Sequence, residues 1–193
     1  ESNFKEQMNW NYFLLYLNKN CDNINIKQEI SLTKMILKSS YWINELGLSK
    51  HPEGGYFREI YRSPRNRNNR SFVTSIYYLI DGNDFSAFHK IDADEIWHFY
   101  YGSSLTLFII DERNSRLTRK VLGNNYKKKE SLEIVIESNN WLAAQVNNKL
   151  TYSLVGCTVI PGFEFEYYEL GERDKLFSLF PEHKKIIEKF TRE

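Results

Sequence analysis

The sequence predicts an all-β domain, an antiparallel sandwich or barrel with a helix at each end. Three observations predict it. Short apolar runs recur through the middle of the chain at regular spacing, with turn residues between them. Tyr and Phe alternate with other apolar residues in those runs, and aromatics make up 16% of the chain, which suits a pleated surface buried on one side. Helical spacing shows only near the two ends. The 193 residues suffice for one domain with a full core.

Residues 1–30 differ in character from the rest of the chain: Asn18, Asn20, Asn23 and Asn25 surround Cys21, and little periodicity survives. They are expected to form a partly ordered appendage, with one domain over 31–193. Ser31 is suited to cap a helix on which Leu32, Met35, Ile36, Ile43 and Leu46 recur, and Gly47 to end it in a left-handed conformation. Strands are expected at 56–61, 71–80, 85–91, 95–101, 105–111, 116–122, 132–136, 141–145, 152–160 and 163–170. Asp81-Gly82 and Gly123-Asn124-Asn125 supply turn chemistry between them. Pro181 opens a last helix with Ile186, Ile187 and Phe190 on one side.

A net charge of +1 offers no basic field for a nucleic-acid partner. Arg62, Arg65, Arg67 and Arg70 do cluster, but among Asn and Pro, as in a solvated connection. No apolar run approaches the roughly 18 residues a membrane helix needs, and no signal peptide is evident at the start. Cys21 and Cys157 make no disulfide framework and fit a reducing compartment. The expected location is the cytoplasm.

The most informative stretch runs from Phe88 to Gly102. His89 and Glu95 sit on two apolar runs either side of a small acidic turn, so an antiparallel sheet can aim an imidazole and a carboxylate into one cavity. Period-two alternation puts Phe85, Ala87, His89 and Ile91 on one face, with Ser86, Phe88 and Lys90 on the other. Glu95, Trp97, Phe99 and Tyr101 share a face, and His98 lies opposite; only a bulge brings both Glu95 and His98 inward. One reading is a metal or acid–base site, since imidazole and carboxylate suit several divalent metals. The other is a buried His89–Glu95 hydrogen bond tying two strands, because an inward carboxylate is costly unless paired.

His89 and Glu95 are therefore the candidate catalytic residues. Glu59 alternates with Phe57 and Tyr61 and is a candidate to face the same cavity, with Arg58 and Arg62 on the other face. His51, in a Gly-rich turn beside Pro52 and Glu53, reads first as a turn-stabilising residue and second as a catalytic one. Cys157 shares its face with Ser153, Val155 and Val159, and no electropositive neighbour in sequence marks it as a reactive thiol. Trp141, like Trp97, Phe163 and Phe165, reads first as core and second as a ligand stacker. Glu59, His98, Trp141 and Cys157 complete the candidate ligand-binding set.

The stretch also resembles the first cupin motif, H-x-H, three or four residues, E, six residues, G. His89, Glu95 and Gly102 stand in place, and Ile91 falls where the second His belongs. With His51-Pro52-Glu53-Gly54-Gly55-Tyr56-Phe57-Arg58-Glu59 and the run from Tyr152 to Phe163, the chain resembles the cupin family numbered five, a domain of unknown function, over roughly residues 32–192. The resemblance implies a cupin double-stranded β-helix (a jelly-roll barrel) with flanking helices, usually paired as a homodimer and similar in shape to nucleotide-sugar epimerases. It implies no established reaction. The usual cupin metal site takes three His and one Glu. Ile91 removes one His, so no cofactor is firmly implied, and the candidates for a divalent metal are His89, Glu95 and, given a bulge, His98. The second motif falls near Trp141, where Asn139 and Asn140 can still take left-handed turn positions. The expected function is small-molecule binding in the barrel cavity. The alternatives are a metal-independent epimerase or isomerase acting on a nucleotide-sugar-like substrate, with His89 as general base and Tyr77, Tyr152 or Tyr167 as acid, and a metal-dependent cupin enzyme.

Overall fold

The structure, a computed structural model, describes residues 38–192. The expected appendage and the helix positions Ser31, Leu32, Met35 and Ile36 lie outside the described residues. A helix α1 covers Ser39–Glu45, and Gly47 follows it at φ +58°, the left-handed position expected of it.

The strands are β1 (Ser49–Lys50), β2 (Tyr56–Arg62), β3 (Asn66–Arg67), β4 (Arg70–Ser71), β5 (Thr74–Asp81), β6 (Phe85–Ile91), β7 (Asp94–Gly102), β8 (Leu105–Asp111), β9 (Arg116–Leu122), β10 (Glu133–Ile136), β11 (Trp141–Val146), β12 (Tyr152–Ile160) and β13 (Tyr168–Leu170). Two helices close the chain, α2 (Arg173–Leu179) and α3 (Lys184–Lys189). One sheet has six strands in the order β1-β2-β5-β12-β7-β10, and the other five in the order β13-β6-β11-β8-β9. The paired strands within both sheets run antiparallel. From β5 to β8, and again from β9 to β13, successive strands alternate between the sheets, as in a jelly roll.

Alternation decides what lies between the sheets. On β10, Ile134 and Ile136 are buried while Glu133 and Val135 are exposed. The inner faces bring together Tyr78, Ile80, Ile91, Trp97, Leu107, Leu142, Ala144, Val155 and Val159. The outer face of the five-stranded sheet is equally apolar. Phe88, Phe108, Ile110, Trp141 and Ala143 pack there against Leu176, Phe180, Ile187 and Phe190 of the C-terminal segment. On the six-stranded sheet Leu79, Tyr152 and Leu154 pack with Trp42, Ile43 and Leu46 of the α1 region. Each fully buried large side chain contributes about 1.5–3 kcal/mol by leaving water. Among the described residues no helix is long and apolar enough to cross a membrane.

Three differences from the sequence expectations bear on the site. The strand expected at 71–80 begins at Thr74. Before it, β3 and β4 form a small hairpin whose turn places Asn68 and Asn69 at positive φ, a conformation Asn tolerates. The strand expected at 163–170 shrinks to β13 after a 3₁₀ turn, Phe165–Tyr167. Side chains serve the backbone of that segment instead of a neighbouring strand. Phe163 N–H donates to Thr74 Oγ1, Arg62 to the Phe163 carbonyl and Arg70 to the Gly162 carbonyl. Lastly, α2 precedes Pro181, which opens a 3₁₀ turn leading into α3. Leu176 and Phe180 at i and i+4 were the available signal for α2.

Register shifts matter more than boundaries. On β6 against β11, His89 pairs with Leu142 and Ser86 with Ala144, so one extra residue separates Ser86 from His89. On β2 against β5, Ile60 is the extra residue between Glu59 and Tyr61. On β7 against β12, the extra residue is Tyr100. Each is a β-bulge that re-aims the residues beyond it.

Candidate functional site

Among the described residues, one end of the space between the sheets stays open as a cavity of about 110 Å³. His51, Glu53, Tyr78, His89, Glu95, Trp97, Cys157 and Tyr168 line it, with Glu59, Arg62 and Glu164 among its further lining residues.

His89 is delivered by β6 and is 3% exposed, so nearly all of its hydrogen bonding must come from protein or ligand. Its Nδ1 lies 2.9 Å from the Ala87 carbonyl. A carbonyl only accepts, so the proton belongs on Nδ1 and the neutral ring turns its Nε2 lone pair toward the cavity. Glu53 Oε2 lies 3.1 Å from the same Nδ1. Nε2 has Glu95 Oε1 at 3.8 Å, outside hydrogen-bond range. Burial pulls the His89 pKa down, but the Glu53 and Glu95 carboxylates and the Ala87 carbonyl together outweigh it, and the net shift is upward.

Glu53 is the residue the sequence reading passed over. It is 4% exposed, and its Oε1 accepts from Ser86 Oγ at 2.9 Å. The bulge on β6 makes this bond available: strict alternation would have turned Ser86 away from the His89 face. The Glu53 carbonyl accepts from Ala87 N–H at 2.8 Å and from Arg192 Nε at 3.1 Å, so the turn before β2 is stitched to β6 and to the C-terminus. Gly54 and Gly55, at φ +117° and +69°, let the backbone make this turn. The signal available in sequence was an acidic residue directly before Gly-Gly.

His51 also belongs to the site and does more than hold a turn. Its Nδ1 lies 3.6 Å from Glu53 Oε2 and accepts from the Glu53 backbone N–H at 3.4 Å, and its ring meets Phe57 edge-on at 4.6 Å. Burial lowers its pKa, with Glu53 opposing and His89 reinforcing. The two histidines flank one carboxylate and shift in opposite directions.

Glu95 enters from β7 as expected and is 6% exposed. Its Oε2 accepts from Trp97 Nε1 at 3.1 Å and from Cys157 Sγ at 3.4 Å. Burial raises its pKa; His89 opposes this and Glu53 adds to it. Burial, then Glu95, also push the Cys157 thiol well above its ordinary value, so Cys157 serves here as a protonated thiol donor.

Tyr168 stacks on His89 with ring centroids 5.9 Å apart. Its hydroxyl is buried and finds no hydrogen-bond partner among the described residues. Its phenol pKa is raised, first by burial and then by Glu53 and Glu95.

The remaining sequence candidates sort by face. His98 points away from the cavity, with Nδ1 3.3 Å from Glu133 Oε2. The β7 bulge falls at Tyr100, beyond His98, so Glu95 and His98 keep opposite faces and His98 cannot join a metal site with Glu95. That bulge also turns Tyr101 out, to stack on Tyr152. Trp141 lies on the outer face of the five-stranded sheet, fully buried under the C-terminal helices and beneath Lys90, and does not reach the cavity. Glu59 does line it, at the mouth and not at its closed end. The Ile60 bulge places Arg62 on the same side, opposite the expected face. Arg62 Nε and Nη2 donate to the Glu59 carboxylate at 3.0 and 2.9 Å, and Nη1 to Glu164 Oε1 at 2.5 Å. Of the tyrosines considered as acids, Tyr77 faces Tyr100 and Arg58, Tyr152 binds Trp42 Nε1, and Tyr167 lies under Arg70. The cavity tyrosines are Tyr78 and Tyr168.

The donor set does not fit a cupin metal centre. His89 Nε2 and Glu95 Oε1 face one another, but Ile91 is a hydrocarbon wall where a second imidazole belongs, and Glu53 addresses the far nitrogen of His89 with His51 behind it. Among the described residues no three His, Cys, Asp or Glu side chains converge as a metal site would require.

Comparison with known proteins places this geometry in context. The profile of a family described as Cupin superfamily (DUF985) matches residues 40–171. A protein of Shewanella oneidensis is 34% identical, its structure superposes with a TM-score of 0.77, and the match covers 80% of this chain and 98% of that one. A hypothetical protein from Leishmania major is 28% identical, also at TM-score 0.77, over 81% and 99%. Oxalate decarboxylase from Bacillus subtilis is 16% identical at TM-score 0.50, over 73% of this chain and 36% of that one, a likeness of fold alone. No curated protein matches the chain.

Proposed function

The chain belongs to the Cupin_5 family of the cupin superfamily (DUF985), and from that premise we propose that its barrel binds a small molecule in the cavity, oriented by His89, Glu95 and Tyr168. One observation carries the reading. An imidazole 3% exposed stands in the lining of an aromatic-walled hollow, and its Nε2 has no partner within hydrogen-bond range among the described residues. Buried polar atoms are nearly always satisfied, so a ligand or an ordered water completes the set. Concave, aromatic-lined sites with a few convergent polar groups are the usual form of a small-molecule site. The test is thermal shift against a metabolite panel, with His89→Ala as control. The expected result is a ligand that raises the melting temperature of the parent chain and loses that effect in His89→Ala. A panel whose every shift survives the substitution removes this pocket from consideration.

A second reading, proton transfer, is favoured by Glu53. A carboxylate 3.1 Å from Nδ1 raises the basicity of Nε2 and stabilises the imidazolium formed when Nε2 takes a proton, the role an acid plays behind a catalytic histidine. The substrate would be a carbonyl compound with an acidic C–H beside the carbonyl. Incubation of neutral keto-sugars with the protein in heavy water is expected to place solvent deuterium at that carbon. Recovery of undeuterated sugar across the series counts against catalysis while leaving binding intact.

A further inference from the structure

Acids outnumber cations around the cavity. Glu53 and Glu95 belong to its buried polar cluster, and Glu59 and Glu164 stand at its mouth. Against these four carboxylates stand Arg62 and His89, since the lone pair on Nδ1 of His51 is already occupied by a backbone N–H. Arg62 is committed to both mouth carboxylates. His89 directs Nδ1 at Glu53 and leaves Glu95 at 3.8 Å. Glu95 is thus the carboxylate with the longest ion pair, to His89 Nε2 at 3.8 Å. An indole N–H and a thiol serve its Oε2, while its Oε1 receives no hydrogen bond among the described residues. The walls of the hollow are Phe57, Trp97, Phe163 and Tyr168.

An unmatched carboxylate oxygen inside an aromatic hollow is a site an ammonium group satisfies twice. It donates a charge-assisted hydrogen bond to the oxygen and lies against ring faces of opposite electrostatic sign. An anionic ligand would meet a surplus of like charge instead. From this arrangement we infer that the ligand of the cavity is an organic cation, a primary or secondary ammonium on an apolar body, anchored on Glu95 Oε1. The inference rests on the small-molecule reading above and names the ligand class. It also argues against a nucleotide-diphosphate substrate, whose charge has the wrong sign.

The experiment is calorimetric titration of the full chain at pH 7.5 with three probes on one skeleton: 2-phenylethylamine, 2-phenylethanol and phenylacetate. The amine is expected to bind at least about tenfold tighter than the alcohol, the gain typical of a charge-assisted bond, and phenylacetate weakest. Glu95→Gln, which keeps the side-chain shape, is expected to bring amine and alcohol within about twofold of each other. The ranking of probes on the parent chain stands whether or not that variant folds. Alcohol or phenylacetate binding as tightly as the amine overturns the inference and leaves the cavity a small-molecule site. An unchanged amine preference in a folded Glu95→Gln chain overturns the anchor. Binding of none of the three overturns the inference together with the cavity reading.

Discussion

Replacing Gly54 by Ala is expected to cost about 3 kcal/mol or more of folding stability, by adding left-handed strain to a steric clash. Gly54 lies at φ +117°, where a side chain is disfavoured, and its Cβ would collide with the Phe85 carbonyl and the Arg192 guanidinium. The carbonyl cannot retreat: Phe85 lies at the start of β6, and Arg192 Nη2 donates to it at 2.8 Å. Because Glu53 is the preceding residue, relief of the clash would also pull its carboxylate from Ser86 and His89. Gly47→Ala is the control. It has φ +58° but only Arg58 Nη1 nearby, at 3.6 Å, so it should lose about 1 kcal/mol from backbone strain alone. Urea unfolding of both variants decides the matter, and equal losses at the two positions would sink the clash account.

The second large effect is expected from Glu53→Gln. Removing one member of a buried ion pair typically costs about 3–5 kcal/mol. Gln can still accept from Ser86, so about 3 kcal/mol is the expected loss near pH 6. The pH dependence carries the sign. A histidine whose folded pKa is raised contributes stability that is fully present below its unfolded pKa of 6.5 and is lost as pH rises through the folded value. The gap between parent and Glu53→Gln should therefore be widest near pH 6 and shrink toward pH 9. In the parent, nuclear magnetic resonance titration should find His89 above the ordinary imidazole value and His51 below it. Both should fall in Glu53→Gln, because Glu53 is the strongest upward influence on each. A His89 pKa that does not move on losing Glu53 would show that the carboxylate and the imidazole are not coupled.

The legible part of the site was the part that alternation controls. His89 and Glu95 were assigned inward from the two runs on which they sit, and both are buried against the cavity. Alternation also turned His98 away from Glu95, and only an added bulge would have recovered it. The illegible part came from bulges and turns. Arg62 reached the mouth because Ile60 is an extra residue on β2. Ser86 reached Glu53 because β6 carries one more residue than β11 between two pairings. Trp141 lies in the outer layer under the C-terminal helices, one of which, α2, was not foreseen.

By itself the sequence determined the antiparallel strands and the inward aim of one imidazole and one carboxylate. These follow from a two-residue period, which is a property of the chain's own backbone. Only the tertiary structure decided that Glu53 and His51 join His89, that Glu59 and Arg62 close on each other at the mouth, and that Glu95 Oε1 is left without a hydrogen bond among the described residues. Each of those depends on which strand lies opposite and in what register, and a single inserted residue shifts that register while leaving no mark on the local pattern.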